Sequence, residues 1–227
     1  MTRPAVDLWL VDVRNDPRAA PGPGPDPLSP GERERAARFR TPALGDRWAA
    51  GRRALRRLLA EATGLGPGAL RLLPDQETGR PRLADAPDLR LSLARAGDHL
   101  LVALRRDAPV GVDLEPRAAA RGLWDAAPWV LAPAERAALA PAPPADRDAA
   151  CLAAWVAKEA YLKGVGLGLG RDPATLRLVP AADGSALVDD PAEPVRWLVL
   201  PLLARHPGLA GALAVAPADP PRVRWHP

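Results

Sequence analysis

Short apolar runs and longer segments of helical periodicity alternate along the chain. The apolar runs predict strands at 6–13, 70–73, 89–93, 99–104, 110–114, 176–179, 195–200 and 209–215. From about 46 to 62, Trp48, Leu55, Leu58 and Leu59 recur at the spacing of one helix face. A second long helix is predicted over 149–164, and shorter helices should follow the capping sequence at 29–32 (SPGE) and begin at Pro133.

The same order of motifs occurs twice in the chain. Residues 28–33 (LSPGER) are matched by 131–136 (LAPAER), and residues 70–74 (LRLLP) by 176–180 (LRLVP), at offsets of 103 and 106. Trp48 and Arg52 are matched by Trp155 and Glu159 at an offset of 107. Strands and helices in each half predict the α/β (α+β) class, with a small sheet packed against helices. We therefore predict a pseudo-two-fold duplication of two halves, 1–108 and 109–227, with the active site in the cleft between them.

Composition adds limits to this picture. Apolar residues make up 48% and charged residues 26%, which is ordinary for a globular protein. A single cysteine, Cys151, excludes a disulfide framework and a cysteine-built metal site. No apolar run approaches the roughly 18 residues of a membrane span, and the N-terminus lacks the core of a signal peptide. We expect a cytoplasmic protein with no membrane partner, and a monomer because an internal pseudo-dimer removes the need for a real one.

The charge distribution is uneven. The net charge is +4, and only two of the 31 basic residues are lysines, Lys158 and Lys163, both in one predicted helix. Either chance placed them there or this helix needs an ammonium group, and we favour the second interpretation. Between Ser29 and Leu58 nine arginines face three acidic residues. This run indicates either a solvated helix face or a binding site for a polyphosphate or nucleic acid.

Three carboxylates are candidates for a metal site. Asp113 and Glu115 alternate along a predicted strand, so both side chains point to one face. Mg²⁺ commonly binds such carboxylates together with phosphate oxygens, although a solvent-facing acidic strand end has the same pattern. Glu159 lies one helical turn from both Trp155 and Lys163, and a third carboxylate would complete a metal cage. The alternative is a Glu–Lys pair that only stabilises the helix.

These residues carry a resemblance to a known family. Residues 111–115 (GVDLE), followed by 155–169 (WVAKEAYLKGVGLGL), resemble the paired motifs of 4′-phosphopantetheinyl transferases. The similarity is to the broad-specificity type that activates non-ribosomal peptide and polyketide synthases in secondary metabolism. It extends from 28–30 (LSP) through 38–39 (RF), 79–81 (GRP) and both motifs to 175–179. The resemblance implies a pseudo-dimer with coenzyme A in the cleft.

The resemblance also implies roles for individual residues. Asp113, Glu115 and Glu159 match the Mg²⁺ ligands, with Asp113 also placed at coenzyme A. The implied coenzyme A-binding residues are Arg35, Arg47, Arg80, Arg95, Asp113, Lys158 and Lys163. The family usually has Ser-His where this chain has Ala94-Arg95, so Arg95 is expected to take over the contact to the 3′-phosphate.

The function implied is transfer of the 4′-phosphopantetheine group from coenzyme A to a serine of an apo acyl or peptidyl carrier protein, releasing adenosine 3′,5′-bisphosphate. Glu159 and Lys163 are the expected catalytic residues: Glu159 accepts the serine proton and Lys163 neutralises the attacked phosphoryl group. An Mg²⁺-dependent nuclease and a non-enzymatic polyanion-binding module are the alternatives, although we expect no nucleic acid partner. The apolar segment after Trp124, through Trp129, Val130 and Leu131, is a candidate carrier-docking surface, and the alternative is that both tryptophans belong to the core.

Overall fold

The computed structural model describes residues 5–74, 81–167, 170–204, 206–217 and 220–227. In the first half the elements are β1 (Ala5–Asp12), α1 (Pro30–Ala37), α2 (Pro42–Thr63), β2 (Leu72–Pro74), β3 (Pro81–Leu83), β4 (Leu89–Ala96) and β5 (His99–Arg106). The second half has β6 (Val110–Pro116), α3 (Ala127–Val130), α4 (Pro133–Leu139), α5 (Pro144–Val165), β7 (Arg177–Pro180), β8 (Ala186–Asp189), β9 (Trp197–Leu202), β10 (Leu209–Val215) and β11 (Arg222–His226). Short 3₁₀ turns at Arg117–Ala120 and Leu123–Ala126 precede α3, and another at Pro173–Thr175 precedes β7. Within these described ranges, no helix combines the length and apolar character needed to cross a membrane.

Three strands of each sheet, β1-β5-β4 and β6-β10-β9, follow a corresponding order. In the first sheet the order is β11-β1-β5-β4, with β1, β5 and β4 antiparallel. In the second sheet it is β6-β10-β9-β8-β7, also antiparallel. The α/β class and the plan of a sheet packed with helices in each half are therefore confirmed, while the pseudo-two-fold relation stays a prediction.

Alternating side chains place the two sheets and the long helices in four layers. Along β1, Trp9 and Val11 face α2, where they pack with Leu55 and Leu58. Leu8, on the opposite face of the same strand, packs in a separate cluster between the sheets. Fully burying a leucine contributes roughly 1.5–3 kcal/mol, so these two clusters fix the register of β1.

Glycines let α5 pack closely on the second sheet. A Cβ at Gly111 of β6 would collide with backbone atoms of Ala160 and Gly164 in α5. A Cβ at Gly164 would in turn collide with the Trp197 ring of β9. The helix therefore lies directly against β6, which is the strand that carries the candidate carboxylates.

The sheets meet where β4 lies beside β6. The buried Ser92 hydroxyl of β4 accepts a hydrogen bond of 3.0 Å from the Val112 amide of β6. Arg95 lies three residues beyond Ser92, and Asp113 directly follows Val112. The junction thus links the strand carrying the predicted cationic contact to the strand carrying the predicted carboxylates.

Two features of the fold did not follow from the sequence. Strand β11 pairs in parallel with β1, so residues 222–226 lie in one sheet with β1, β5 and β4, while the division at residue 108 stays a prediction. The long helices begin at Pro42 and Pro144 and end at left-handed Gly64 and Gly166, an offset of 102 at both ends. This offset differs from the 107 predicted from the tryptophans, and the correspondence of Arg52 and Glu159 stays a prediction.

Candidate active site

The close packing of α5 on β6 brings an ammonium and a carboxylate together. The Lys163 Nζ donates a hydrogen bond of 2.6 Å to Asp113 Oδ1, and Asp113 is buried. Glu159 lies one turn earlier on α5 and is also buried, whereas Glu115 at the end of β6 is half-buried. The packing of α5 on β6 thus brings Asp113 and Lys163 into contact, with Glu159 and Glu115 on the same two elements.

The surroundings of Glu159 and Glu115 disfavour the ionised form of each side chain. Burial raises the pKa of Glu159, the charge of Asp113 raises it further, and Lys163 opposes both effects. Burial followed by the Asp113 charge also raises the pKa of Glu115, while the Trp155 indole and Lys163 lower it. The like charges are close enough to repel, and one ammonium only partly compensates them.

Two buried oxygens in this cluster lack hydrogen-bond partners within the described residues. These are Asp113 Oδ2 and Glu159 Oε1. Leaving buried charged oxygens unpaired is costly, so the cluster has unused capacity for a cation or a proton donor. The oxygens do not converge into a ready-made metal centre: in the part of the chain described, no group of three or more His, Cys, Asp or Glu side chains is arranged to hold a metal ion.

A second cluster, of arginines, lies on α1, α2 and β4. The guanidinium of Arg95 lies against the backbone of α2 at Gly51, in space that a Cβ there would occupy. Arg95 is exposed as a residue, but burial of its charged end, together with the charges of Arg52 and Arg35, lowers its pKa to about 10. Both Arg35 and Arg52 also lie 5.3 Å from the centre of the Trp48 ring.

Acidic side chains among the described residues only partly neutralise the arginine cluster. Arg52 Nε lies 3.0 Å from Glu32 Oε1 in an ion pair, but the geometry is not that of a hydrogen bond, and this buried Nε has no other partner among the described residues. Glu32 is shared with Arg56, whose Nε donates to it at 2.6 Å. One carboxylate therefore serves two guanidiniums, and an anion beside Arg95 would relieve the remaining repulsion.

Two further predicted coenzyme A contacts are Arg47 and Arg80. Arg47 is half-exposed and forms an ion pair of 2.6 Å with Asp98 in the β4–β5 turn. Arg80 lies outside the described residues.

The Lys158 side chain does not contact Asp113 as the Lys163 side chain does. Its side chain is fully buried, and its Nζ donates to Glu135 Oε2 at 2.6 Å and to the Val130 carbonyl at 2.8 Å. Adjacent residues of a helix point about 100° apart, so the neighbour of Glu159 faces α3 and α4 instead of β6. In this arrangement Glu135 and the Val130 carbonyl engage two hydrogens of the ammonium, and the contact of Lys158 with coenzyme A stays a prediction.

Sequence reasoning missed Gly51, Arg52 and Glu135 as contributors to these clusters. Glu135 was visible only as a capping residue of α4, and Arg52 only as one of many arginines. The signal for Glu135 was its match to Glu32 in the repeated 28–33 and 131–136 motifs.

The comparisons with known proteins agree with these motifs. A family model described as the 4′-phosphopantetheinyl transferase superfamily matches residues 109–214. The chain is 30% identical over 200 residues to the 4′-phosphopantetheinyl transferase HetI of Nostoc sp., an alignment covering 82% of this chain and 83% of the relative. Among solved structures, the acyl carrier protein synthase of Plasmodium yoelii with ADP bound matches 49% of this chain and 96% of its own, at 18% identity and a TM-score of 0.40. On the family model and the relative together, the chain belongs to the 4′-phosphopantetheinyl transferase superfamily and is an enzyme that transfers phosphopantetheinyl groups to carrier proteins.

Proposed function

We propose that the enzyme transfers 4′-phosphopantetheine from coenzyme A to a serine hydroxyl of an apo acyl or peptidyl carrier protein, releasing adenosine 3′,5′-bisphosphate. The observation that carries this proposal is the contact between α5 and β6, where buried Asp113 and Glu159 lie beside the Lys163 ammonium. In the reaction the serine oxygen bonds to the phosphorus, the bond to the leaving phosphate breaks, and the serine proton passes to a base. The family membership disfavours the nuclease and the polyanion-binding module.

The carboxylate cluster fits Mg²⁺ in its donor chemistry. Asp113, Glu115 and Glu159 offer the hard oxygen ligands that Mg²⁺ requires, and two of their buried oxygens are unpartnered within the described residues. Asp113, Glu115 and Glu159 would hold the ion, which when bound supplies positive charge to phosphate oxygens. Its attraction would also offset the mutual repulsion that raises the pKa of Glu159 and of Glu115.

Glu159 is the proposed base for the serine proton. Its raised pKa, caused first by burial and then by Asp113, makes it a better proton acceptor than an exposed glutamate while it stays ionised. Lys163 places an ammonium on the same face of α5, where it would neutralise charge on the attacked phosphoryl group. No rearrangement of the helix is needed to bring these two side chains to one substrate.

The arginine cluster is the proposed anchor of the nucleotide. Arg95, Arg52 and Arg35 concentrate positive charge, and Glu32, the acidic partner of Arg52, is also paired with Arg56, which leaves room for the 3′-phosphate of coenzyme A. Arg47 and Arg80 are proposed as further basic contacts. The junction of β4 and β6 at Ser92 joins this anchor to the carboxylates.

The test is the mass of a carrier protein after incubation with the enzyme, coenzyme A and Mg²⁺. We expect the apo carrier to gain about 340 Da, the mass of the phosphopantetheine arm. Replacing Glu159 by Gln should lower kcat by about 10²–10⁴-fold with coenzyme A affinity within a few-fold, the usual range for loss of a general base. No mass gain on any of several carriers would refute the proposal, and an unchanged kcat with a raised KM for Mg²⁺ would make Glu159 a ligand only.

A further inference from the structure

The fully buried Lys158 side chain connects α5 to neighbouring elements. Its Nζ donates a hydrogen bond of 2.6 Å to Glu135 Oε2 of α4 and one of 2.8 Å to the Val130 carbonyl at the end of α3. A buried ammonium is costly unless its charge is paired and hydrogen-bonded, and Glu135 supplies the counter-charge. Lys158 thus fixes α5 relative to α3 and α4.

Glu135 extends this connection to a strand. Its Oε2 also accepts a hydrogen bond of 2.8 Å from the Ala132 amide and so caps α4. Its Oε1 accepts one of 2.7 Å from the Leu178 amide of β7. Because α4 and β6 pack on different sides of α5, the ion pair of Glu135 and Lys158 holds the helix from a different side than β6 does.

The first half contains a corresponding ion pair. Glu32 caps α1 by accepting from the Ser29 amide at 2.8 Å, and it accepts from the buried Arg56 of α2 at 2.6 Å. Arg56 also donates to the Leu70 carbonyl, before β2, at 3.0 Å. We call the ion pairs Glu32–Arg56 and Glu135–Lys158 the two struts.

The struts account for the motifs that occur twice in the chain. In each half the glutamate belongs to the repeated capping motif, the cation to the long helix, and a third partner to the repeated LRLLP or LRLVP segment. The two glutamates are 103 residues apart and the two cations 102 apart, close to the offset of 102 between the helices. The same set of contacts in both halves indicates that the cation of each strut serves to arrange its helix.

In the second half, the strut holds the helix that carries the proposed catalytic residues. Glu159 directly follows Lys158, and Lys163 lies further along the same helix. Close packing at Gly111 holds α5 against β6 on one side, and the strut holds it on another. A helix held on two sides resists rotation about its axis, so the strut sets the direction in which the Glu159 side chain points.

In the first half, the strut lies beside the arginine cluster. Glu32 Oε1 lies 3.0 Å from Arg52 Nε, one turn before Arg56 in α2. The Arg95 guanidinium lies against α2 at Gly51, which directly precedes Arg52. The strut therefore fixes the helix surface on which the proposed nucleotide anchor is built.

We propose that Lys158 and Arg56 are positioning residues with separate effects: Lys158 orients Glu159 for turnover, and Arg56 holds Glu32 and Arg52 in place for coenzyme A binding. This inference rests on the proposed function of Glu159 and of the arginine cluster. A displacement of about 1 Å in a reacting group can lower a rate about 10²-fold, so a strut controls turnover without touching the substrate. Direct contact of Lys158 with coenzyme A is the rival assignment that the test distinguishes.

The experiment compares Lys158→Met with Arg56→Met, each the matched control for the other. Lys158→Met should lower kcat by about 10- to 100-fold while the Kd for coenzyme A, measured by calorimetry without a carrier, stays within about two-fold. Arg56→Met should raise that Kd by about 10-fold, with kcat at saturating coenzyme A within about three-fold. A role in stability alone would affect the two variants alike, so the crossed pattern identifies positioning.

Hydrogen exchange of the amides that the two glutamates bind tests the struts without any substrate. Lys158→Met should speed exchange of the Leu178 amide and leave the Ser29 amide unchanged, and Arg56→Met should do the reverse. An unmodified enzyme that modifies no carrier would refute the proposed function, yet exchange would still report on the struts. Unchanged exchange at both amides would refute the struts themselves.

Conservative and second-site variants complete the test. Arg56→Lys keeps a cation for Glu32, as Lys158 does for Glu135, and should keep the Kd for coenzyme A within about three-fold of the unmodified enzyme. A raised Kd for coenzyme A with an unchanged kcat in Lys158→Met would assign Lys158 to coenzyme A and overturn the proposal, as would equal changes in both Met variants. If Lys158→Met does not fold, Glu135→Gln removes the opposite charge, and an unchanged kcat in that variant would be equally decisive against it.

Discussion

The Arg95 guanidinium lies against α2 because residue 51 is glycine. The charges of Arg52 and Arg35 act on Arg95, so three cations gather there, and of these three Arg52 forms an ion pair with Glu32. Such a cluster is tolerated when an anion spends part of its time there. Arg95 thereby offers a planar, permanently charged donor where the family pattern usually has histidine.

Replacing Arg95 by Ala should therefore raise the KM for coenzyme A by about 10- to 100-fold, the loss of one charge-assisted hydrogen-bonded pair. The kcat should change little, because the contact is remote from the reacting phosphorus and present throughout the reaction. Steady-state kinetics with dephospho-coenzyme A provides the control, since this substrate lacks the 3′-phosphate and should show a much smaller effect. Equal losses with both substrates would mean that Arg95 supports another phosphate or the fold.

Substitution of Lys163 tests whether the site requires an ammonium group. Its Nζ lies 2.6 Å from Asp113 in a space bounded by β6 and α5, and a guanidinium is larger and planar. Lys163→Arg should therefore lower kcat nearly as much as Lys163→Ala, measured on the same carrier. A wild-type kcat in the arginine variant would contradict this expectation and make the choice of lysine coincidental.

At the scale of elements, the site depends on how closely α5 approaches β6. Gly111→Ala would place a methyl group against backbone atoms of Ala160 and Gly164, which cannot move aside as a flexible side chain would. We expect a loss of about 1–3 kcal/mol in the free energy of unfolding, as for other overpacked cores. The kcat should also fall, because α5 carries Glu159 and Lys163 away from Asp113.

Urea unfolding and steady-state kinetics measure both effects of Gly111→Ala. Gly68→Ala is the control, since an added Cβ there meets no atom within 4 Å and the residue is exposed. Equal stability and activity in the two variants would show that the helix–strand spacing is adjustable and that the glycine is not needed for the site.

At the scale of the whole molecule, the last described strand closes the first sheet. Asp7 of β1 accepts hydrogen bonds from Arg224 at 2.6 and 2.5 Å, and its Oδ1 lies 2.6 Å from His226 Nε2. Burial alone would raise the pKa of Asp7, but the contacts with Arg224 and His226 outweigh it and lower the pKa below the ordinary value of 3.8. The ionised carboxylate therefore stabilises the folded state.

The pKa of Asp7 is lower in the folded state than in the unfolded state, so the ionised carboxylate stabilises the fold fully at pH values above the unfolded-state pKa. This stabilisation is lost as the pH falls through the folded-state pKa. Asp7→Asn should lower the free energy of unfolding by about 1 kcal/mol at neutral pH and have a smaller effect under acid conditions below both values. Urea unfolding between neutral and acidic pH measures this difference, with Asp125→Asn on the exposed surface as the control. Parallel pH curves for the unmodified enzyme and Asp7→Asn would contradict the assignment.

Most strands and both long helices followed from the periodicity of apolar residues, because each buries one face against a sheet or helix. The capping sequence at 29–32 formed as expected, with Ser29 and Glu32 each bonding the other's amide. Strands β3, β8 and β11 were not predicted. The first two are only three and four residues long, and β11 is largely polar, so a weak local pattern becomes a strand only through pairing with a neighbour.

The sequence by itself determined the family motifs, the shared face of Asp113 and Glu115, and the one-turn spacing of Glu159 and Lys163, since these depend only on the repeat of a strand or helix. The tertiary structure decided which side chains these residues contact. Lys158 and Lys163 are both lysines of α5, yet they have different partners. Lys158 is buried against Glu135 and Lys163 contacts Asp113, because α4 and β6 pack on different sides of α5. Which of two identical side chains reaches the site depends on the elements packed around its helix, and that information is spread over residues far apart in the chain.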